Sequence, residues 1–160
     1  MQLQEAELSF QRITESDIPE LTQVMKRAFD DDSRRFLGRP RGGPPGYDTG
    51  EFIRKWAVEA GGQGWKIIAD GRAVGAFIVF VTESENATLG TIFVDTPVQD
   101  QKFGTRTWEF IEATYPCAGV WSLETPTWAV RNHHFYEKLG FVRVEIDGDQ
   151  VVYRKESMRP

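Results

Sequence analysis

The sequence predicts an α/β or α+β domain of three layers, a mixed sheet with helices on its faces. Three observations carry this. Short runs rich in alternating or β-branched residues are joined by two-residue turns, Asp70-Gly71 and Asp147-Gly148. Between such runs lie stretches whose apolar residues recur at helical spacing. The two kinds follow one another as β-α-α-β-β-β-α-β-α-β-β, which combines hairpins with crossovers.

Each element has its own signal. Residues 8–13 alternate apolar and polar, as a half-buried strand does. Thr14 and Asp17 stand at capping-box spacing before a helix with Ile18, Leu21, Met25, Ala28 and Phe29 on one face. That helix is expected to end at Asp30-Asp31-Asp32, carboxylates that match the negative end of its dipole poorly and so face solvent or await a cation. Residues 34–47 hold four glycines and three prolines, which no regular element tolerates, and read as a shaped surface loop. Phe52, Ile53, Trp56, Ala57 and Ala60 give a second helix, stopped by Gly61-Gly62. Strands follow at 65–69, 73–82 and 89–94, then a helix at 104–115 and a strand at 120–124. A helix at 129–139, with Gly140 at C′, leads to paired strands at 141–146 and 150–154.

Composition removes several function classes. The chain has 160 residues, 19 basic and 24 acidic, for a formal net charge of −5. This length suits one domain, residues 1–160, and 40% hydrophobic content supports a real core. The acidic balance argues against nucleic acid as the main partner. The longest uncharged apolar stretch, 73–82, falls far short of the roughly 20 residues of a membrane span. The first residues lack the positive charge and apolar run of a signal peptide, so a soluble, cytoplasmic protein is expected. Cys117 is the only cysteine, which excludes an internal disulfide and a Cys-based zinc site; it reads as a small buried filler, and no metal is expected.

Two segments carry chemistry. In residues 89–106 a strand runs into a short polar loop that feeds a helix opening near Gly104-Thr105. The first amides of a helix lack intrahelical partners and the dipole is positive there, so such a loop is a ready phosphate or pyrophosphate site. Lys102 and Arg106 add positive charge, and Gly104 allows close backbone approach. An ordinary polar connection is the equal competing reading. Downstream, Asn132 and Tyr136 stand four residues apart on one face, beside a core face of Phe135 and Leu139. The phenol either donates a proton at a site or merely packs its ring. His133 and His134 read as exposed helix residues without a catalytic role.

Together these segments resemble the GNAT superfamily of acetyl-CoA-dependent N-acetyltransferases. The family's Gln/Arg-x-x-Gly-x-Gly/Ala signature is matched by Gln99-Asp100-Gln101-Lys102-Phe103-Gly104, placed after a strand ending Phe93-Val94. The Phe-Tyr-Glu-Lys-x-Gly-Phe segment at 135–141 is the second match, and the element order agrees over a core of about 8–155. Two departures stand out. Lys102 fills the slot of the first glycine, which costs stability or affinity if that slot needs a positive φ. Ala129 stands where the family often has Asn, with Asn132 nearby to take over part of its role.

The resemblance implies a mostly antiparallel central sheet with helices on both faces, and direct acetyl transfer from acetyl-CoA to an amine. An N–H near Phe93-Val94 would stabilise the oxyanion, and the pantetheine arm would pair with the same strand edge. The pyrophosphate would sit on the amides of Gln101, Lys102, Phe103, Gly104 and Thr105, with Gln99, Asp100 and Asn132 completing the coenzyme site. Tyr136 would protonate the leaving thiolate, helped by a nearby cation or altered burial. Glu124, at the end of its strand, is the best carboxylate for taking the amine's proton; a structural ion pair and a water chain are the competing readings. Asp31, Tyr47, Asp48 and Trp56 would offer a carboxylate and aromatic lining to a cationic small-molecule or peptide amine. Arg34, Arg35, Arg39 and Arg41, in the same stretch, would suit an anionic acceptor instead. Family members often form homodimers. A module that binds acyl-CoA or another ligand without turnover is the alternative function, favoured by Lys102. A nucleotide site is the third reading, and the chain has no P-loop or Gly-rich dinucleotide pattern to support it.

Overall fold

A computed structural model describes residues 7–81, 85–96 and 102–157. Among these, seven strands form one sheet: β1 (Leu8–Arg12), β2 (Gln63–Ala69), β3 (Arg72–Val81), β4 (Asn86–Val94), β5 (Val120–Pro126), β6 (Val142–Asp147) and β7 (Gln150–Glu156). Their order is β1-β2-β3-β4-β5-β7-β6, antiparallel throughout except for the β4–β5 pair. The predicted mixed sheet is therefore present, mostly antiparallel, with helices on both faces.

One face carries α1 (Ile18–Leu37) and α2 (Glu51–Ile53), the latter running into a π-helical segment (Arg54–Glu59). Leu21, Met25 and Ala28 of α1 pack with Ile53, Ala57, Ala76, Ile78 and Phe93. The opposite face carries α3 (Phe103–Thr114) and α4 (Val130–Lys138). There Phe77, Trp108, Ile111, Trp121, Leu123 and Tyr153 form the larger core, with the Trp108 and Trp121 rings edge to face at 5.3 Å. Because Trp121 and Leu123 face α3 and α4, Glu124 between them and Thr125 points to the α1 side. No helix among the described residues is long and apolar enough to cross a membrane.

Three expectations change. α1 does not stop at the aspartates: it continues to Leu37 and ends at Gly38, whose φ of +66° is the left-handed cap. Asp30, Asp31 and Asp32 are thus mid-helix, and Arg34 and Arg35 hold the last turn, where cations suit the dipole. Cys117 is exposed, not buried, because it lies in the turn between α3 and β5. Of the two histidines only His134 is exposed; His133 is buried and donates its Nε2–H to the Pro126 carbonyl at 2.9 Å.

The Gly/Pro loop is ordered by one buried carboxylate. Asp30 accepts the Tyr47 hydroxyl at 2.6 Å, the Gly42 amide at 3.1 Å and the Lys26 ammonium at 3.1 Å, while Ser33 donates to the Arg41 carbonyl. Burial opposes the charge of Asp30, but these three donors outweigh it and hold the carboxyl below its ordinary value. A depressed carboxylate pKa stabilises the fold above the unfolded value and loses that stabilisation as pH falls through the folded one. Asp30→Asn should therefore cost about 2 kcal/mol in urea unfolding at pH 7, with the difference from wild type shrinking below about pH 4. Equal stabilities at pH 7 would contradict this role.

Candidate functional site

The site grows from one irregularity in β4. Its parallel ladder joins only Asn86, Ala87 and Thr88 to Val120, Trp121 and Ser122. Directly beyond, Gly90 is an extra residue between the Leu89–Val79 and Thr91–Ile78 pairs. A bulge of this kind bends its strand and increases its twist. β4 runs on to Val94 and β5 to Pro126 without pairing to each other. The two strands part as a V, and beyond Thr88 the β4 edge faces a gap instead of a strand. Phe93 and Val94 stand at its far end. On the other side β3 approaches closely because it offers Gly75 there: a Cβ at that position would lie 2.2 Å from the Phe93 carbonyl oxygen.

α3 begins at this open end. Lys102, its N-cap residue, has φ +61°, so the slot does take the left-handed conformation on which the expected cost of a lysine there depends. No side chain caps the helix, and its first turn has no acidic residue. Arg106 is the first residue whose N–H finds an intrahelical acceptor, the Lys102 carbonyl at 3.1 Å. The amides of Phe103, Gly104 and Thr105 therefore point out of the helix end. Lys102 and Arg106 place cations where the dipole is positive, and the left-handed backbone costs Lys102 about 1–2 kcal/mol more. An anion seated on the helix end would offset the electrostatic cost. Gly104 has another role besides: a Cβ there would meet the Phe135 ring at 2.8 Å, so its absence lets α3 pack on α4. Gln99, Asp100 and Gln101 lie outside the described residues.

α4 begins at the same end, after β5. Its buried residues are His133 and Tyr136, whereas Phe135 and Leu139 are half-buried. The Tyr136 ring packs against Phe135, Phe141 and Tyr153, and its hydroxyl has no hydrogen-bond partner among the described residues. Burial first, and the Asp32 carboxylate second, push its pKa well above the usual phenol range. The resolved charge acting on it is thus an anion, not the cation expected to ease its ionisation. Asn132 donates to Thr125 Oγ1 at 3.3 Å. Glu124 is exposed, with no ion-pair or hydrogen-bond partner among the described residues, so the competing structural pair is not formed there.

α1 spans the mouth of the V. Arg27 grips Asp95, the residue after β4, through Nε to Oδ1 at 3.0 Å and Nη2 to Oδ2 at 2.8 Å. Further along, Asp31 and Asp32 hold Arg131 of α4. Neither tie has a local sequence signal. The expected acceptor lining is only partly assembled. Tyr47 is buried with its hydroxyl given to Asp30, so it does not line the gap. Trp56 packs on Phe80, which pairs with Thr88 at the closed end of the V, six residues or about 20 Å along β4 from Val94. Asp31 is paired with Arg35 at 3.0 Å, and Asp48 is exposed. A separate polar hollow of about 430 Å³, lined by Glu7, Gln11 and Lys66 among others, lies on β1–β2 away from the gap.

The cost at Lys102 is measurable. Lys102→Gly should raise stability in urea unfolding by about 0.5–1 kcal/mol, the relief of the left-handed backbone less the greater entropy of an unfolded glycine. It should also weaken inorganic pyrophosphate binding. A destabilised variant with unchanged pyrophosphate affinity would refute both halves.

Solved proteins share this fold. A PaiA N-acetyltransferase from Thermoplasma acidophilum, solved in complex with coenzyme A, superposes with a TM-score of 0.76 at 14% identity, over 94% of this chain and 99% of that one. An acetyltransferase from Thermus thermophilus gives 0.78 at 17% identity, over 94% and 97%. The ribosomal-protein-S18-alanine N-acetyltransferase from Escherichia coli gives 0.73 at 17% identity, over 96% and 97%. At these identities the likeness establishes the fold. A search of curated proteins by sequence finds no match. The sequence profile of the family described as acetyltransferase (GNAT) family matches residues 21–141, three quarters of the chain, and with the fold in agreement this chain belongs to that family.

Proposed function

We propose that this chain, acting as one domain, is an N-acetyltransferase that moves the acetyl group of acetyl-CoA to a primary amine of a small molecule or peptide by direct attack. The observation that carries the reading is the parting of β4 and β5 at the sheet end where the uncapped N-terminus of α3 also lies. An extended arm ending in a diphosphate suits that pair of features. The β4 edge up to Phe93 and Val94 offers backbone partners to the arm. The amides of Phe103, Gly104 and Thr105, with the Lys102 ammonium, suit the diphosphate. Gln99, Asp100 and Gln101 are proposed to complete that cradle. The coenzyme A bound to the Thermoplasma acidophilum protein of the same fold supports the choice of donor.

When bound, acetyl-CoA supplies the thioester; the rest is done by side chains and backbone. A β4 N–H near Phe93 and Val94 donates to the carbonyl oxygen as negative charge develops there. Tyr136 keeps its proton at neutral pH and offers its O–H to the leaving sulfur. Its raised pKa lies far above the roughly 8.5 of an ordinary thiol, so it acts by donating a hydrogen bond as the bond breaks, not by ionising beforehand. The amine's proton passes to Glu124, an exposed carboxylate on the α1 side of β5, or to water. Asn132, tied to Thr125, fixes the first turn of α4 beside the coenzyme site. The acceptor enters over α1, past Asp31 and Asp48.

Release of free thiol from acetyl-CoA across a panel of amines tests the reading. Tyr136→Phe should lower kcat at least 100-fold and leave KM for acetyl-CoA within about twofold. Full activity in that variant would remove Tyr136 from the reaction. Acetyl-CoA binding without thiol release for any amine would favour the non-catalytic module, and no binding heat at millimolar acetyl-CoA would end the proposal.

A further inference from the structure

We infer that Arg131 and Asp32 are positioning residues of this site: their ion pair is a strut across the mouth of the β4–β5 gap that sets where Tyr136 stands relative to the β4 edge. The inference rests on the acetyl-transfer reading. Its geometry comes from α1, which touches both lips of the V within one and a half turns. Arg27 holds Asp95 at the end of β4, and Asp31 and Asp32, four and five residues later, hold Arg131 at the start of α4. At 1.5 Å per residue these grips are about 6–8 Å apart along the helix.

Arg131 carries every hydrogen bond and ion pair between α1 and α4 among the described residues. α4 needs such a tie. It has nine residues, too few to be stable alone, and no side chain caps its N-terminus. Its core anchors, His133 and Tyr136, fasten it to the sheet and not to α1.

Both partners are unfavourable in their own surroundings. Arg131 puts a cation in the first turn of α4, against the dipole. Asp32 is largely out of water, with 19% of its side chain exposed, and burial keeps its carboxyl above the ordinary value even with Arg131 beside it. Asp31 adds a like charge from α1 and Arg35 an opposite one, while Arg131 faces Asp32 from α4. The Phe36 ring lies 5.9 Å from the guanidinium and supports it from below. Each charge is held in place by the other, and removing one leaves its partner uncompensated. Tyr136, five residues after Arg131, is near enough to Asp32 to feel its charge. Arg131 and Tyr136 share the nine-residue α4, so a shift of the strut moves the helix that carries the phenol.

Arg131→Met keeps the stem over Phe36 and removes the charge; Asp32→Asn removes the partner. Each should lower kcat at least tenfold with KM for acetyl-CoA within twofold, the double variant should be no worse than either, and Arg131→Lys should recover most of the loss. A second readout does not depend on turnover. In ¹³C-tyrosine-labelled protein the Tyr136 ring signal, identified by its loss in Tyr136→Phe, should move in both single variants while those of Tyr47 and Tyr115, whose rings do not touch Tyr136, stay. Losses that simply add, or a Tyr136 signal that does not move in a folded variant, would overturn the strut. Wild-type protein that transfers no acetyl group would instead overturn the acetyl-transfer reading, and the ring signal would still decide the strut.

Discussion

The constraint on which the site depends is a ladder that stops after three residues. β4 and β5 are held together through Thr88 and Ser122, and the bulge at Gly90 then bends β4 away while β5 stays paired with β7 along its whole length. A sheet edge inside a fold is ordinarily a cost, because its amides and carbonyls have no partner. Here the ladder stops at one end of the sheet, beyond Thr88 and Ser122, and both strands face the gap there. Everything chemical is gathered around it: the strand edge, the start of α3, the start of α4, and the middle of α1 across the opening.

The charges around this opening share a pattern. Lys102 and Arg106 sit at the positive end of α3, Arg131 at the positive end of α4, and the half-buried Asp32 on α1. Each breaks a local rule of helix electrostatics or solvation. The two ends of α1 obey the rules: its last turn carries Arg34 and Arg35, and Asp17 accepts from the Thr14 amide and hydroxyl at its N-terminus. Local rules broken together at one place mark that place as serving something other than stability. At α1 and α4 the partners are visible, in one another; at α3 the helix end would suit an anion.

Much of the architecture is legible in the sequence because its signals are local. Asp70-Gly71 and Asp147-Gly148 announce their hairpins, and Tyr136 and the strand before Lys102 stand out by motif. The motif's usual glycine raises the question of a left-handed slot at Lys102, and the φ of Lys102 answers it. What escapes is decided by tertiary partners. The run of aspartates looks like a helix end because neither Tyr47, 17 residues on, nor Arg131, 99 residues on, can be seen from Asp30 and Asp32. The Arg27–Asp95 clamp joins residues 68 apart, and Asp95 reads only as part of a turn. Tyr47 and Trp56 have the right chemistry for an acceptor wall, but packing takes one into the core and the other to the wrong end of the strand. Gly104 is expected to serve a ligand, and the Phe135 ring occupies the space its side chain would fill.

The central claim is that the opened β4 edge and the start of α3 together receive one extended ligand. Amide hydrogen exchange with and without coenzyme A tests this most directly, since it reads the backbone groups themselves. Slowed exchange in residues 89–94 and 103–105, concentrated in those two segments, is the predicted result. Unchanged exchange there under saturating ligand, or protection centred on β1–β2, would contradict it.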